Sequence, residues 1–195
     1  MSKDIILVSS NKDKIIEVKN ILKPLGFNVI SLKDLNIETD IEETGETFEE
    51  NALLKARFLK GKYPRIIADD SGLEIFSLNN QPGVYSARFL GEDTSYKVKN
   101  QIVIDMLKEK KDKGARFVSV IAYIHNEKEM TFRGEIVGEI VNEIKGDKGF
   151  GYDPIFMPKG YDLTFGQLDS ALKDKISHRA QALFKLEEWL KNEKI

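Results

Sequence analysis

Two adjacent carboxylates, Asp69 and Asp70, stand within the apolar stretch from Ile66 to Phe76. Neighbouring carboxylates repel each other and are costly to bury, so packing alone seldom favours them beside a core strand. A divalent cation would offset the repulsion, and Mg2+ binds carboxylate oxygens while taking phosphate oxygens as further ligands. The opposing interpretation is a plain turn, because Asp, Ser and Gly dominate turns. We expect a buried strand that breaks at Gly72 and resumes as a second strand.

A second acidic stretch precedes a predicted helix. Thr47 and Glu50 have the spacing of a capping box, which marks the helix N-terminus. Lys55 then lies on one face of that helix. Glu42, ahead of the helix, is the candidate for a second carboxylate on an ion bound by Asp70.

The N-terminal segment predicts a strand over residues 5–8, a loop over residues 9–11 and then a helix. Backbone amides at a helix N-terminus favour an anion, and Lys14 adds a full positive charge one turn in. In such a site the main chain of Lys12 and Asp13 would count more than their side chains. The alternative for this motif is an ordinary N-cap followed by a solvated lysine.

The segment 149–153, termed the aromatic loop, holds two glycines, two aromatic residues and an aspartate. Aromatic rings can stack on a planar base, and an aspartate can accept hydrogen bonds from ring N–H groups. A small core cluster beneath a loop is the competing interpretation.

A helix is predicted over residues 173–191, with Ser177 as a candidate N-cap. His178 and Arg179 follow directly and can donate hydrogen bonds to carbonyl or phosphate oxygens. Arginine at a helix start is also common on protein surfaces, so both interpretations are open.

The remaining pattern is that of a single α/β domain over residues 1–195. An antiparallel hairpin is predicted over residues 116–124 and 130–144, and Gly134 and Gly138 indicate a bulge or a close backbone approach in its second strand. A hydrophobic content of 41% is enough for a sizeable core.

The overall charge argues against two classes of partner. Thirty basic and 32 acidic residues give a net charge of -2, so neither nucleic acid nor a membrane surface is expected as a partner. The chain has no cysteine, which excludes disulfides, and no apolar run of transmembrane length. We therefore expect a soluble cytoplasmic protein.

Five separated motifs occur in an order that resembles the inosine/xanthosine triphosphate pyrophosphatase family, from Ser9 to about Leu186. The motifs are Ser9-x-Asn11-x-x-Lys14-x-x-Glu17, Glu42-x-x-Gly45-x-Thr47-Phe48-x-x-Asn51-Ala52-x-x-Lys55-Ala56, Ala68-Asp-Asp-Ser-Gly-Leu73, Gly149-Phe-Gly-Tyr-Asp-Pro154 and Ser177-His-Arg179.

The resemblance implies an elongated mixed β-sheet with flanking helices and two lobes around a central cleft. It also implies a homodimer that uses Mg2+ to hydrolyse ITP, dITP, XTP and dXTP to the monophosphate and pyrophosphate, which removes deaminated purines from the nucleotide pool.

The same resemblance implies roles for individual residues. Asp70 would be catalytic and, with Glu42, would bind the metal. The implied substrate-binding residues are Ser9, Ser10, Asn11, Lys12, Asp13, Lys14, Lys55, Ser71, Phe150, Gly151, Tyr152, Asp153, Lys173, His178 and Arg179.

Two other functions are open. One is a house-cleaning pyrophosphatase for other modified nucleotides, such as pyrimidines or methylated bases. The other is a nucleotide- or RNA-binding module without catalysis, which would leave the acidic cluster at Glu42, Asp69 and Asp70 without a role.

Overall fold

The computed structural model describes residues 3–39 and 41–192, and within them the chain forms seven strands and five α-helices. The strands are β1 (Asp4–Val8), β2 (Asn28–Ser31), β3 (Arg65–Ile75), β4 (Gln81–Pro82), β5 (Gly114–His125), β6 (Lys128–Ile140) and β7 (Phe156–Pro158). The helices are α1 (Lys12–Leu22), α2 (Phe48–Arg57), α3 (Tyr96–Met106), α4 (Ser170–Ile176) and α5 (His178–Asn192). The predicted mixed α/β class is confirmed.

The strands form one mixed sheet in the order β2-β1-β3-β5-β6-β7, and β4 pairs with β3. Strand β1 is parallel to β2 and to β3, whereas β4 and β7 are antiparallel to their partners. Val8 lies opposite Ala68 in the β1–β3 pair. The loop that follows Val8 therefore begins level with Asp69, the next residue of β3 after Ala68.

The chain divides into two compact units. The first unit comprises Met1–Asp70, Ser119–Gly134 and Ser177–Ile195, and the second comprises Ser71–Val118 and Glu135–Ile176. Each unit has its own core. The first core includes Leu7, Val18, Ile121 and Leu183; the second includes Leu73, Val103, Phe117 and Phe156. The single domain over residues 1–195 stays a prediction.

Strand β3 differs from its sequence prediction. The chain runs through Asp69, Asp70 and Gly72 as one strand of 11 residues, so both the predicted break at Gly72 and the turn interpretation are wrong. The two carboxylates are only 2% and 4% exposed. They lie inside the strand because lysine ammonium groups pair with both of them. Charged partners thus remove the need for a solvated turn.

The start of α2 lies where the sequence predicts it, whereas the predicted C-terminal helix is divided. Thr47 and Glu50 form the predicted capping box at the start of α2. The C-terminal run predicted as one helix is two, α4 and α5, separated at Ser177. The Ser177 hydroxyl accepts a hydrogen bond from the Ala180 amide at 3.1 Å, which confirms its predicted N-cap role.

The predicted hairpin is present as β5 and β6, adjacent in the sheet and joined by residues 126–127. Within residues 3–39 and 41–192, no helix combines the length and hydropathy that crossing a membrane requires.

Candidate active site

Asp69 is the centre of a buried ionic cluster in the first unit. Its Oδ2 lies 2.7 Å from the ammonium of Lys14 and 3.3 Å from the guanidinium of Arg179. Its Oδ1 accepts the hydroxyl of Ser119 at 2.6 Å. Burial alone would raise the pKa of Asp69, but the charges of Arg179 and Lys14 outweigh it and hold the pKa well below its usual value. Asp69 is therefore a permanent anion that fixes two cations.

Arg179 is held on two sides by carboxylates. Its guanidinium also pairs with Glu17 on α1, and only 1% of the residue is exposed. Burial would lower the pKa of Arg179, yet the charges of Asp69 and Glu17 outweigh it and raise that pKa. Arg179 was expected to bind substrate oxygens. In the structure its guanidinium forms ion pairs with two carboxylates of the protein, Asp69 and Glu17. His178, its neighbour, is also buried, with 4% exposed.

The loop after β1 joins the cluster through α1. Asn11 is the N-cap, and its Oδ1 accepts the amides of Asp13 at 3.0 Å and Lys14 at 3.1 Å. The amide of Asn11 in turn donates to the hydroxyl of Ser9 at 3.2 Å. Ser10 to Asp13 are exposed, so an anion can reach them from solvent. The N-cap is confirmed, but the solvated lysine of that interpretation is wrong, because Lys14 is paired with the buried Asp69. The helix start remains accessible.

Asp70 lies next to this cluster but has different partners. Its Oδ1 accepts the ammonium of Lys55 on α2 at 2.7 Å. The same ammonium lies 2.7 Å from Oε1 of Glu43, so two carboxylates share one cation. The other oxygen of Asp70, Oδ2, is buried and has no hydrogen-bond partner among residues 3–39 and 41–192. Asp70 therefore presents one uncompensated acceptor.

The protonation of Asp70 reflects this incomplete pairing. Burial raises its pKa, Lys55 and Lys14 lower it, Glu43 raises it further, and the net pKa lies above the ordinary value. Burial would lower the pKa of Lys55, but Asp70 and Glu43 outweigh it and raise that pKa. Two adjacent aspartates therefore differ in basicity: Asp69 stays ionised, whereas Asp70 is disposed to take up a proton.

The donor set around Asp70 fits a hard cation. A buried carboxylate oxygen without a partner is the type of ligand that Mg2+ uses, and Mg2+ usually needs only one or two carboxylates beside water and phosphate oxygens. Glu42, the other predicted ligand, is exposed, while its neighbour Glu43 contacts Lys55. Among the described residues no group of three or more His, Cys, Asp or Glu side chains is arranged to hold a metal.

A second polar cluster lies in the aromatic loop of the second unit. Asp153 Oδ2 accepts the amide of Phe150 at 2.8 Å and the ammonium of Lys173 at 2.6 Å. That ammonium lies 4.9 Å from the centroid of the Phe150 ring, over its face. Gly149 has φ +70°, and a Cβ there would lie 2.1 Å from Asp153 Oδ2, so only glycine fits. The loop is built around the carboxylate of Asp153.

Exposure separates the two aromatic residues of this loop. Tyr152 is only 3% exposed and belongs to the core of the second unit, whereas Phe150 is half-buried. The core-cluster interpretation therefore describes Tyr152. Phe150 is the ring with accessible surface.

Residues 5–189 match the model of the Ham1 family. The chain belongs to the Ham1 family. The family resemblance predicted from the sequence is thereby confirmed.

Relatives and solved structures agree with this assignment along nearly the whole chain. A dITP/XTP pyrophosphatase of Thermoanaerobacter pseudethanolicus is 46% identical over 191 residues, covering 95% of this chain and 96% of the relative. A dITP/XTP pyrophosphatase of Bacillus subtilis is 45% identical, with 96% and 97% covered. The structure of a HAM1 protein from Coxiella burnetii superposes with a TM-score of 0.88 at 39% identity, covering 98% of this chain and all of that one.

Glu17, Glu43 and Ser119 complete the buried ionic clusters of the first unit and were not among the predicted site residues. Asp69 was predicted only as a member of the acidic pair, without a role of its own. Glu17 follows Lys14 at the i+3 helical spacing, a signal that was readable in the sequence. Ser119 carried no such signal, because a serine in an apolar strand gives no indication of its partner.

Proposed function

We propose that this protein hydrolyses non-standard purine nucleoside triphosphates, ITP, dITP, XTP and dXTP, to the monophosphate and pyrophosphate. Its support in the comparisons is the pyrophosphatase name of relatives that match nearly the full chain. Its support in the site is the buried Oδ2 of Asp70, which has no partner in the described part of the chain and a raised pKa. A basic carboxylate with a vacant acceptor is suited to general-base catalysis.

The proposed reaction is an attack of water on the α-phosphorus. The water oxygen forms a new P–O bond while the bond from that phosphorus to the α–β bridging oxygen breaks. Pyrophosphate leaves, one water proton passes to Asp70, and the other stays on the oxygen that has joined the monophosphate. Positioned proton transfer of this kind contributes about a hundredfold or more to a rate.

The triphosphate would be bound by cations and by the start of α1. Lys14 and Lys55 supply positive charge, and their aspartate partners hold them in place. The loop from Ser9 to Asp13, which is exposed from Ser10 onward, supplies backbone donors at a helix N-terminus. Ser71, which directly follows Asp70, is proposed as a further substrate contact.

We propose Asp70 and Glu42 as the protein ligands of Mg2+. When bound, the ion neutralises phosphate charge and so lowers the barrier to attack by water. The protein's own contribution is to keep the Asp70 carboxylate buried and oriented by Lys55.

We propose that the base stacks on the aromatic loop of the second unit. The half-buried ring of Phe150 offers a stacking surface, with Gly151, Tyr152, Asp153 and Lys173 forming its surroundings. His178 and Arg179 are proposed to favour hypoxanthine and xanthine, whose O6 accepts a hydrogen bond. Adenine has an amino group at that position, and a site of buried donors rejects such a mismatch.

Incubation with ITP and Mg2+, followed by chromatography of the products, tests the proposal. We expect IMP and pyrophosphate in equal amounts from ITP, the corresponding products from XTP and dITP, and much slower cleavage of ATP. Release of inorganic phosphate with IDP would contradict attack at the α-phosphorus. A panel with modified pyrimidine and methylated nucleotides tests the alternative substrate class, and binding of ITP without turnover would indicate a binding module.

The homodimer and the cytoplasmic location stay predictions, which sedimentation and cell fractionation test.

A further inference from the structure

The second unit contains a buried asparagine, Asn100, that the proposed reaction does not use. It lies in the second turn of α3 and is 2% exposed. Its Nδ2 donates to the carbonyl oxygen of Gly151, in the aromatic loop, at 3.1 Å. Its Oδ1 is buried and has no hydrogen-bond partner among the residues that the structure describes.

The incomplete hydrogen bonding of Asn100 lowers the stability of the folded protein. A buried amide that leaves its oxygen unsatisfied loses the solvation of that oxygen without replacing it, which typically costs about 1–3 kcal/mol. An apolar side chain would avoid this cost while filling the same helix position. The advantage of an asparagine must therefore lie in the single bond that it makes to Gly151.

That bond fixes one side of Phe150. Gly151 has φ +65°, a conformation with few intrinsic restraints in glycine, so an external donor is needed to define the direction of its carbonyl group. On the other side, the Phe150 amide is held by Asp153 at 2.8 Å. The backbone on both sides of the half-buried Phe150 ring is therefore held by a buried side chain, by Asp153 of the same loop and by Asn100 of α3.

The rest of the loop is attached to the same unit by Tyr152. Its hydroxyl donates to the Ser86 carbonyl oxygen at 2.9 Å, and its ring meets that of Tyr96 edge-on with centroids 5.3 Å apart. The Ser86 hydroxyl accepts the amide of Leu73, three residues after Asp70 in the chain, at 2.9 Å. Buried, directional contacts of this type hold a site in one geometry.

We propose that Asn100 is a positioning residue for base selection, acting through the Gly151 carbonyl to hold Phe150 in its base-stacking orientation. This inference rests on the proposed function and assigns a specificity role to α3, which contributes none of the residues of the proposed site. Its effect should fall on binding of the base and leave proton transfer at Asp70 unchanged.

The test compares Asn100→Ala and Asn100→Leu with Gln101→Ala and Gln101→Leu. Leucine has nearly the shape of asparagine, but it cannot donate a hydrogen bond to the Gly151 carbonyl. Gln101 is exposed at the next position of α3 and controls for the helix. We expect KM for ITP to rise about tenfold in both Asn100 variants, the equivalent of one hydrogen bond, with kcat within about twofold. The kcat/KM preference for ITP over ATP should fall by a similar factor, and the Gln101 variants should match wild type.

Tyr152→Phe is the second variant, because it removes one hydroxyl and keeps the ring. It should shift KM and selectivity in the same direction. A purely structural role predicts lower thermal stability without a change in selectivity, and that result would overturn the inference. If wild type cleaves ITP and the folded variants keep both KM and selectivity, the inference alone fails. A wild-type protein that does not cleave ITP overturns the proposed function and this inference with it.

Discussion

At the scale of single residues, the site depends on the contrast between two neighbouring aspartates. Asp69 and Asp70 have the same chemistry and the same degree of burial. Asp69 contacts Lys14, Arg179 and Ser119, whereas Asp70 shares Lys55 with Glu43. The pKa of Asp69 is therefore lowered, and the pKa of Asp70 is raised. Separation of two carboxylates into a fixed anion and a proton acceptor is a common basis of acid–base catalysis.

The first prediction concerns Asp70→Asn. The amide keeps the shape and can still accept from Lys55, but it cannot take a proton from water. We expect turnover of ITP to fall at least about a hundredfold, with an unchanged circular dichroism spectrum. Asp162→Asn, an exposed aspartate outside the site, is the matched control. Wild-type turnover in a folded Asp70→Asn protein would remove Asp70 from the mechanism.

The second prediction distinguishes the role of Glu42 from that of Glu43, and it uses the same Glu→Gln substitution at both positions. Glu42→Gln should raise the Mg2+ concentration needed for half-maximal activity, and it should weaken Mn2+ binding measured by electron paramagnetic resonance without nucleotide. Glu43 raises the pKa of Asp70. Glu43→Gln should therefore lower that pKa and move the acid limb of the pH–rate profile to lower pH. Weakened Mn2+ binding in Glu43→Gln alone would make Glu43 the metal ligand.

At the scale of elements, α5 is positioned by its direct contact with strand β6. A Cβ on Gly134 would lie 2.1 Å from the backbone oxygen of His178 and 2.5 Å from the amide of Ala182. Backbone atoms of a helix cannot move aside as a flexible side chain can. The close backbone approach predicted for Gly134 is confirmed, and it fixes the first turn of α5, which carries His178 and Arg179.

The third prediction is that Gly134→Ala destabilises the protein. The added methyl group must push α5 away from β6, at a cost of about 3 kcal/mol for overpacking. Thermal melts should show a large decrease in the melting temperature. Thr131→Ala, at an exposed position of the same strand, should leave it within error of wild type. Equal melting temperatures for the two variants would show that α5 does not depend on this contact.

At the scale of the whole molecule, the site has a cost in stability that depends on pH. A carboxyl whose pKa is raised by folding binds its proton more tightly in the folded state than in the unfolded state. Stability from that group is present below the ordinary pKa of 3.8 and is lost as pH rises through the folded pKa. Asp70 therefore destabilises the folded protein at neutral pH, which is consistent with a role in function.

The fourth prediction follows from this sign. Asparagine does not titrate, so the free energy of unfolding of Asp70→Asn minus that of wild type should increase as pH rises above 3.8 and should level off above the folded pKa. Lys55 does not contribute to this slope, because its raised pKa lies above 10.5 and so outside the measured range. Asp69 does not contribute either, because it is present in both proteins. Urea unfolding from pH 4 to pH 8 measures the difference. A difference that stays constant or decreases over this range would contradict the assignment of a raised pKa to Asp70.

The sequence by itself determined the local features of this protein. The capping box of α2, the N-caps at Asn11 and Ser177 and the hairpin of β5 and β6 follow from residues close together in the chain, whose backbone preferences need no distant partner. The five ordered motifs also identified the family, because each keeps its own spacing.

Only the tertiary structure decided how the charges are paired. The sequence predicted that Asp69 and Asp70 lie at the end of a strand, before a break at Gly72, because an uncompensated aspartate pair is costly to bury inside a strand. The fold supplies Lys14, Lys55 and Arg179 from three helices and so makes the buried strand possible. Partner choice, and with it the basicity of each carboxylate, depends on contacts between distant segments, for which local sequence patterns contain no signal.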